Sequence, residues 1–167
     1  MTPLINPNES ITDGRVRLTT ASGADLDGLT WVGTALGPDW TLDDLVARVE
    51  AGEGVLVSDA DDACVGVMVV RRGLPRENSG CVPFIAVDPA RRYRGLGGCA
   101  GLAIEKHLRG RFGVDTVYAP IPDGRGLAVY FWLRLGFRPL TQSESPGALV
   151  GLNDAAPPGI WMARERA

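Results

Sequence analysis

The stretch RRYRGLGG, residues 91–98, lies between an apolar run ending FIAVDP and a periodic segment, CAGLAIEKHLR. Three arginines and three glycines share its eight positions. The periodicity predicts a helix from Gly95 to Arg109, and that helix opens with the wrong charge. The positive end of a helix dipole disfavours cations by about 0.3–1 kcal/mol each. No Ser, Thr, Asp or Asn stands at the expected cap to accept the free backbone N–H groups. A chain that starts a helix this way needs acceptors from elsewhere. Bare backbone at Gly95, Gly97 and Gly98 lets a ligand come close. A helix N-terminus turns N–H groups toward an anion, and guanidinium groups add charge-assisted donors suited to phosphate oxygens. A pyrophosphate would meet both deficits. The plain alternative is a glycine-rich turn with solvated arginines.

Two familiar phosphate loops do not fit. No G-x-x-x-x-G-K-[ST] occurs. GLGGCA matches G-x-G-x-x-G/A, with Asp115 about 20 residues on, as a dinucleotide site requires. That site, however, puts its first glycine directly at the strand end, whereas here DPARRYR intervenes. Asp115 also precedes its expected strand, where the ribose-binding acid should follow it.

Around this turn the chain alternates strand and helix signals. RVRLTT reads as a strand, GADLDGLTWVGTAL as a helix, and GPDWTLDDLVARVEAG as a second helix capped by Thr41 and stopped by Gly52. GVLVS and CVGVMVVRR form a hairpin around DADDA; CVPFIAVDP is the next strand, where Pro83 implies a bulge or an edge. VDTVYAP is a strand, GRGLAVYFWLRLG a helix, and FRPLTQ and GIWMARE the closing strands. Residues 1–13, rich in Pro and Asn, read as a loose arm, leaving 14–167 as one α/β (α+β) domain on a mixed sheet.

The 167 residues are 45% hydrophobic and 22% charged, with a net charge of −3. That is globular composition and argues against a general nucleic-acid or anionic-membrane surface. Three cysteines and one histidine at no metal-ligand spacing point to no metal and no disulfide framework. No basic-then-apolar leader and no membrane-length apolar run is present, so a cytoplasmic protein is the expectation. Asp59, Asp61 and Asp62 read as a solvated turn, Cys81 as a buried thiol, and His107 as a packed structural side chain.

Val87, Pro89, then Arg92-Tyr93-Arg94-Gly95-Leu96-Gly97, resembles the acyl-CoA-binding signature of the GCN5-related N-acetyltransferase (GNAT) superfamily. AVYFWLRLGF is similar to that family's A-x-x-x-Y-x-x-x-G-F segment. The resemblance implies a mixed sheet of roughly six to seven strands with about four helices. It implies acetyl-CoA as co-substrate, with the pantetheine arm along Ile85, Ala86 and Val87. The pyrophosphate would then be held by Arg92, Tyr93, Arg94, Gly95, Leu96, Gly97 and Gly98. Arg125 stands where the family often has Asn and is a further contact to the donor. The reaction implied is direct attack of a primary amine, on a small molecule or peptide, upon the thioester; a homodimer is left open. Trp31, Asp39 and Trp40 fall where the family often shapes its acceptor pocket, the bland reading being core and cap packing.

Two departures bear on catalysis. The family's acid tyrosine aligns with Trp132, and the strand before the signature carries no Glu. The remaining candidates are Tyr130 as acid and Glu77 as base. Three functions stay in play: an N-acetyltransferase, a non-catalytic acyl-CoA-binding or regulatory module, and, behind both, a nucleotide-dependent oxidoreductase.

Overall fold

The structure, a computed structural model, describes residues 2–92, 94–149 and 157–166. Among these residues it forms one mixed sheet of eight strands with five α-helices. The strands are β1 Ile11–Asp13, β2 Val16–Thr20, β3 Gly54–Ser58, β4 Cys64–Arg72, β5 Ser79–Val87, β6 Thr116–Pro122, β7 Arg138–Pro139 and β8 Gly159–Glu165. The helices are α1 Gly23–Asp27, α2 Val32–Ala35, α3 Leu42–Glu50, α4 Leu96–Phe112 and α5 Gly126–Arg134. Strand order is β1-β2-β3-β4-β5-β6-β8-β7. Pairing is antiparallel from β1 to β4 and at β6–β8–β7. It is parallel at β5–β6, where α4 supplies the long crossover a parallel pair requires. The β5–β6 register covers three pairs, Ser79↔Thr116 to Cys81↔Tyr118, although β5 continues to Val87.

The fold class is the one expected, with one strand and one helix more. The extra strand is β1, inside the segment read as a loose arm. In the same segment Leu4 and Ile5 are buried, and the Ile5 carbonyl accepts the Thr20 hydroxyl at 2.8 Å. Packing therefore begins well before residue 14; the Pro and Asn around these two side chains hid them. The extra helix arises because GADLDGLTWVGTAL breaks in two. Ser22 and Asp25 form a capping box on α1, and Gly28, a poor helix former, ends it. The apolar spacing continues because the link is also partly buried. Pro83 marks no edge: β5 has a neighbour on each side. The proline falls two residues past the last pair with β6, so its missing N–H costs that ladder nothing. FRPLTQ contributes only the two residues of β7.

Contacts divide the chain into two compact units, one running up to Val69 and including 84–104, the other comprising 70–83 and the chain from Glu105 on. In the first, α3 is set by its ends: the Thr41 hydroxyl accepts the Asp44 N–H at 3.1 Å and the Asp44 carboxylate accepts the Thr41 N–H at 2.9 Å. Its Leu45 and Val49 are buried, and a Cβ on Gly54 would meet Val49 Cγ2 at 2.5 Å, so helix and strand touch with no room between. In the second unit, Cys81, Tyr118, Leu149, Trp161 and Ala163 form a core. Glu105 is buried and pairs with Arg109 at 3.0 Å and Arg164 at 3.4 Å. Arg109 also donates to the Asp115 and Arg164 carbonyls, fastening the end of α4 to the entry of β6 and to β8.

Candidate functional site

The site builds up from the end of β5. Ile85 and Val87 are half-buried and Ala86 is buried. β4 passes so close that a Cβ on Gly66 would meet the Ala86 carbonyl oxygen at 2.9 Å. The Asp88 N–H donates to the Val65 carbonyl at 2.7 Å, anchoring the exit of the strand. A single 3-10 turn, Pro89–Arg91, follows. The Asp88 carboxylate caps it by accepting the Ala90 N–H at 3.0 Å, and Pro89 occupies a first-turn position where its missing N–H is harmless.

Arg91 then leaves the cluster. Its guanidinium donates to Asp59 Oδ2 at 2.7 Å. Asp59 sits at the β3–β4 turn and also accepts the N–H groups of Asp61 and Ala63. The Ala63 N–H, then the Asp61 N–H and Arg91, hold the Asp59 carboxyl below its ordinary value, against the opposing effect of burial. This turn is therefore more than solvated: Asp59 fixes the entry to the loop, and Asp62 pairs with Arg17. One of the three misplaced cations thus has a protein acceptor.

Among the described residues the other two do not. Arg92 is extended and exposed, Arg94 is exposed, and neither makes an ion pair among the described residues. Gly95 has φ +75, a left-handed conformation that only glycine adopts freely, and α4 begins at the next residue. The first α-helical bond joins the Cys99 N–H to the Gly95 carbonyl at 3.0 Å. Helix geometry therefore leaves the N–H groups of Leu96, Gly97 and Gly98 without an acceptor in their own helix. Leu96 is buried and anchors the turn; Gly97 and Gly98 are half-buried. A further arginine joins them: Arg15 Nη1 would lie 3.2 Å from a Cβ on Gly95. Sequence reading missed Arg15, because nothing local marks a residue in the turn between β1 and β2 as neighbour to the start of α4. Tyr93 lies outside the described residues.

The other candidates lie in the second unit. Arg125 is half-buried at the N-terminus of α5, and its carbonyl accepts the Ala128 and Val129 N–H groups. Glu77 is exposed in the loop between β4 and β5. Tyr130 is 59% exposed on α5, with the Arg134 guanidinium 5.8 Å from its ring centroid. No hydrogen bond positions Glu77 or Tyr130 among the described residues. Trp132 is 3% exposed, its ring 4.7 Å from that of Phe137. Its carbonyl accepts the Phe137 N–H, and Gly136 turns the chain at φ +88. The indole is core. So is Cys81, and burial, the main cause, pushes the half-buried Cys64 thiol up, away from thiolate chemistry. His107 is half-buried, edge-on to Phe112 at 5.9 Å. Asp115 stands before β6 with its backbone N–H given to the Asn78 carbonyl.

No protein-family model matches the chain, and no curated protein matches it in sequence. Solved structures do. A Vibrio cholerae chain assigned as a ribosomal-protein-serine acetyltransferase superposes with TM-score 0.74 at 13% identity, covering 97% of this chain and 100% of that one. A GNAT-family acetyltransferase from Bacillus anthracis gives 0.68 at 13%, covering 94% and 98%. The PaiA N-acetyltransferase of Thermoplasma acidophilum, solved in complex with coenzyme A, gives 0.62 at 11%, covering 90% and 99%. The fold is therefore that of the GCN5-related N-acetyltransferases. No helix among the described residues is long and apolar enough to cross a membrane.

Proposed function

We propose that this chain, which has the fold of the GCN5-related N-acetyltransferases, moves an acetyl group from acetyl-CoA to a primary amine of a small molecule or peptide. The observation that carries the reading is the start of α4. There a left-handed Gly95, three N–H groups without helical acceptors, and Arg15, Arg92 and Arg94 all lack a counter-anion among the described residues. A pyrophosphate supplies what each of them lacks. On this reading Gly95, Leu96, Gly97 and Gly98 give backbone N–H groups to the pyrophosphate, and Arg92 and Arg94 balance its charge. The backbone of Ile85, Ala86 and Val87 carries the pantetheine arm, past the end of the β5–β6 ladder. The amine nitrogen attacks the thioester carbon, the carbon–sulfur bond breaks, the amine yields its proton to solvent and the thiolate takes one from water. A CoA complex among structures of the same fold supports the choice of ligand.

A non-catalytic acyl-CoA-binding module is the second reading, favoured by the buried Trp132 in the tyrosine's place. Thermal shift with acetyl-CoA and with NAD tests the ligand: stabilisation by NAD alone refutes the proposal. Steady release of CoA thiol across a panel of amines marks a transferase; binding without turnover on any of them selects the module.

A further inference from the structure

Trp40 ends the link between α2 and α3, one residue before the Thr41 cap. It is 6% exposed, with its ring 5.0 Å from that of Phe84 and tilted by 49°. Its Nε1 is buried and has no hydrogen-bond partner among the described residues. Buried indole N–H groups ordinarily find an acceptor, and one left unmet costs about 1–3 kcal/mol. The cost is tolerable if a ligand arrives to meet it.

The position of Phe84 says which part of a ligand that is. It directly precedes Ile85, Ala86 and Val87, and the turn that ends at Gly95 lies beyond Val87. With the pyrophosphate at that turn and the pantetheine running back along β5, the sulfur end of the donor points toward Phe84, against whose ring the indole of Trp40 packs. We propose that Trp40 Nε1–H donates a hydrogen bond to the carbonyl oxygen of the bound thioester, an inference that rests on the acyl-CoA reading above. As the amine lone pair forms the new carbon–nitrogen bond, the carbonyl π electrons move onto that oxygen. They return when the carbon–sulfur bond breaks, the amine yields its proton to solvent, and the leaving thiolate takes one from water. A fixed donor at the oxygen gains strength as the charge grows, which is how a donor lowers a barrier. It also gives this chain a catalytic group that requires neither the missing tyrosine nor a glutamate.

The test uses the full chain labelled with 15N at its four tryptophan indoles, titrated separately with acetyl-CoA and with CoA, beside a Trp40→Phe variant that keeps a ring against Phe84. The expected result is a Trp40 indole signal that moves with acetyl-CoA and hardly with CoA. The variant should bind CoA as the parent does and acetyl-CoA five- to tenfold more weakly. An indole signal that ignores both ligands, or answers both alike, overturns the assignment, as does an unchanged preference for acetyl-CoA in the variant. Should the variant not fold, the two spectra of the parent decide alone. Failure of the parent to bind either ligand is a different outcome: it removes the acyl-CoA reading itself.

Discussion

Replacing Gly95 with Ala separates the backbone requirement of the turn from its ligand. At φ +75 an alanine pays the left-handed penalty, about 1–2 kcal/mol. Its Cβ also meets Arg15 Nη1 at 3.2 Å. That neighbour is the tip of an exposed, flexible side chain, so it swings aside at little cost, and the backbone term dominates. In a domain of this size each kcal/mol is about 2–4 °C of melting temperature, giving a loss of about 2–8 °C without ligand. On the acyl-CoA reading, acetyl-CoA at 100 times its dissociation constant should stabilise the parent by about 2.7 kcal/mol, or about 5–11 °C. If the pyrophosphate sits at this turn as proposed, the added methyl group crowds its approach and displaces Arg15, so more than half of that gain should vanish. Gly113→Ala is the control: φ is +64, nothing lies within 4 Å of the added Cβ, and the position is the far end of α4. It should lose a similar amount of stability and keep the full response to acetyl-CoA. Differential scanning fluorimetry reads both. If Gly95→Ala lowers the melting temperature yet keeps the parent's ligand response, the anion does not sit at this turn.

Other outcomes follow from neighbouring contacts. Trp132→Ala should cost about 3–5 kcal/mol, as loss of a buried aromatic does, whereas Trp132→Phe should leave CoA release within a few-fold of the parent. A hundredfold fall in kcat for Tyr130→Phe, with acetyl-CoA affinity unchanged, would instead make Tyr130 the acid and refute the register that aligns Trp132 with the family's tyrosine. Asp59→Asn should destabilise the chain at neutral pH, and the difference in melting temperature should shrink in acid. The folded carboxyl titrates below its unfolded value, so its contribution is present above the unfolded pKa and is lost as pH falls through the folded one. A gap that stays constant from neutral pH into the acid range where free carboxylates protonate would exclude a charged role for Asp59.

What could be read in advance is what is local. A cap belongs to one residue and the turn after it, so Thr41 is legible as the cap of its helix, and the structure adds Asp44 as its capping-box partner. The glycine turn was visible because φ restrictions belong to single residues, and Gly95 does adopt the left-handed conformation. The parts that complete the site are pairs brought together by the sheet. Arg91 meets Asp59 across 32 positions, and no pattern in either segment announces it. Read from sequence, Arg92 and Arg94 belong to the phosphate turn and Arg91 only shares its excess charge; the fold gives Arg91 to Asp59 and brings Arg15 beside Gly95. Trp40 follows the same logic. Its burial was legible as core packing, but a buried donor without an acceptor shows only when every neighbour is in place. Helices broken at Gly28 and a buried Ile5 in a stretch of Pro and Asn mislead for the related reason that periodicity reports which side chains face inward, not which backbone joins them. The chemistry proposed for this chain therefore rests on its long-range pairs, and the variants at Gly95 and Trp40 probe those pairs directly.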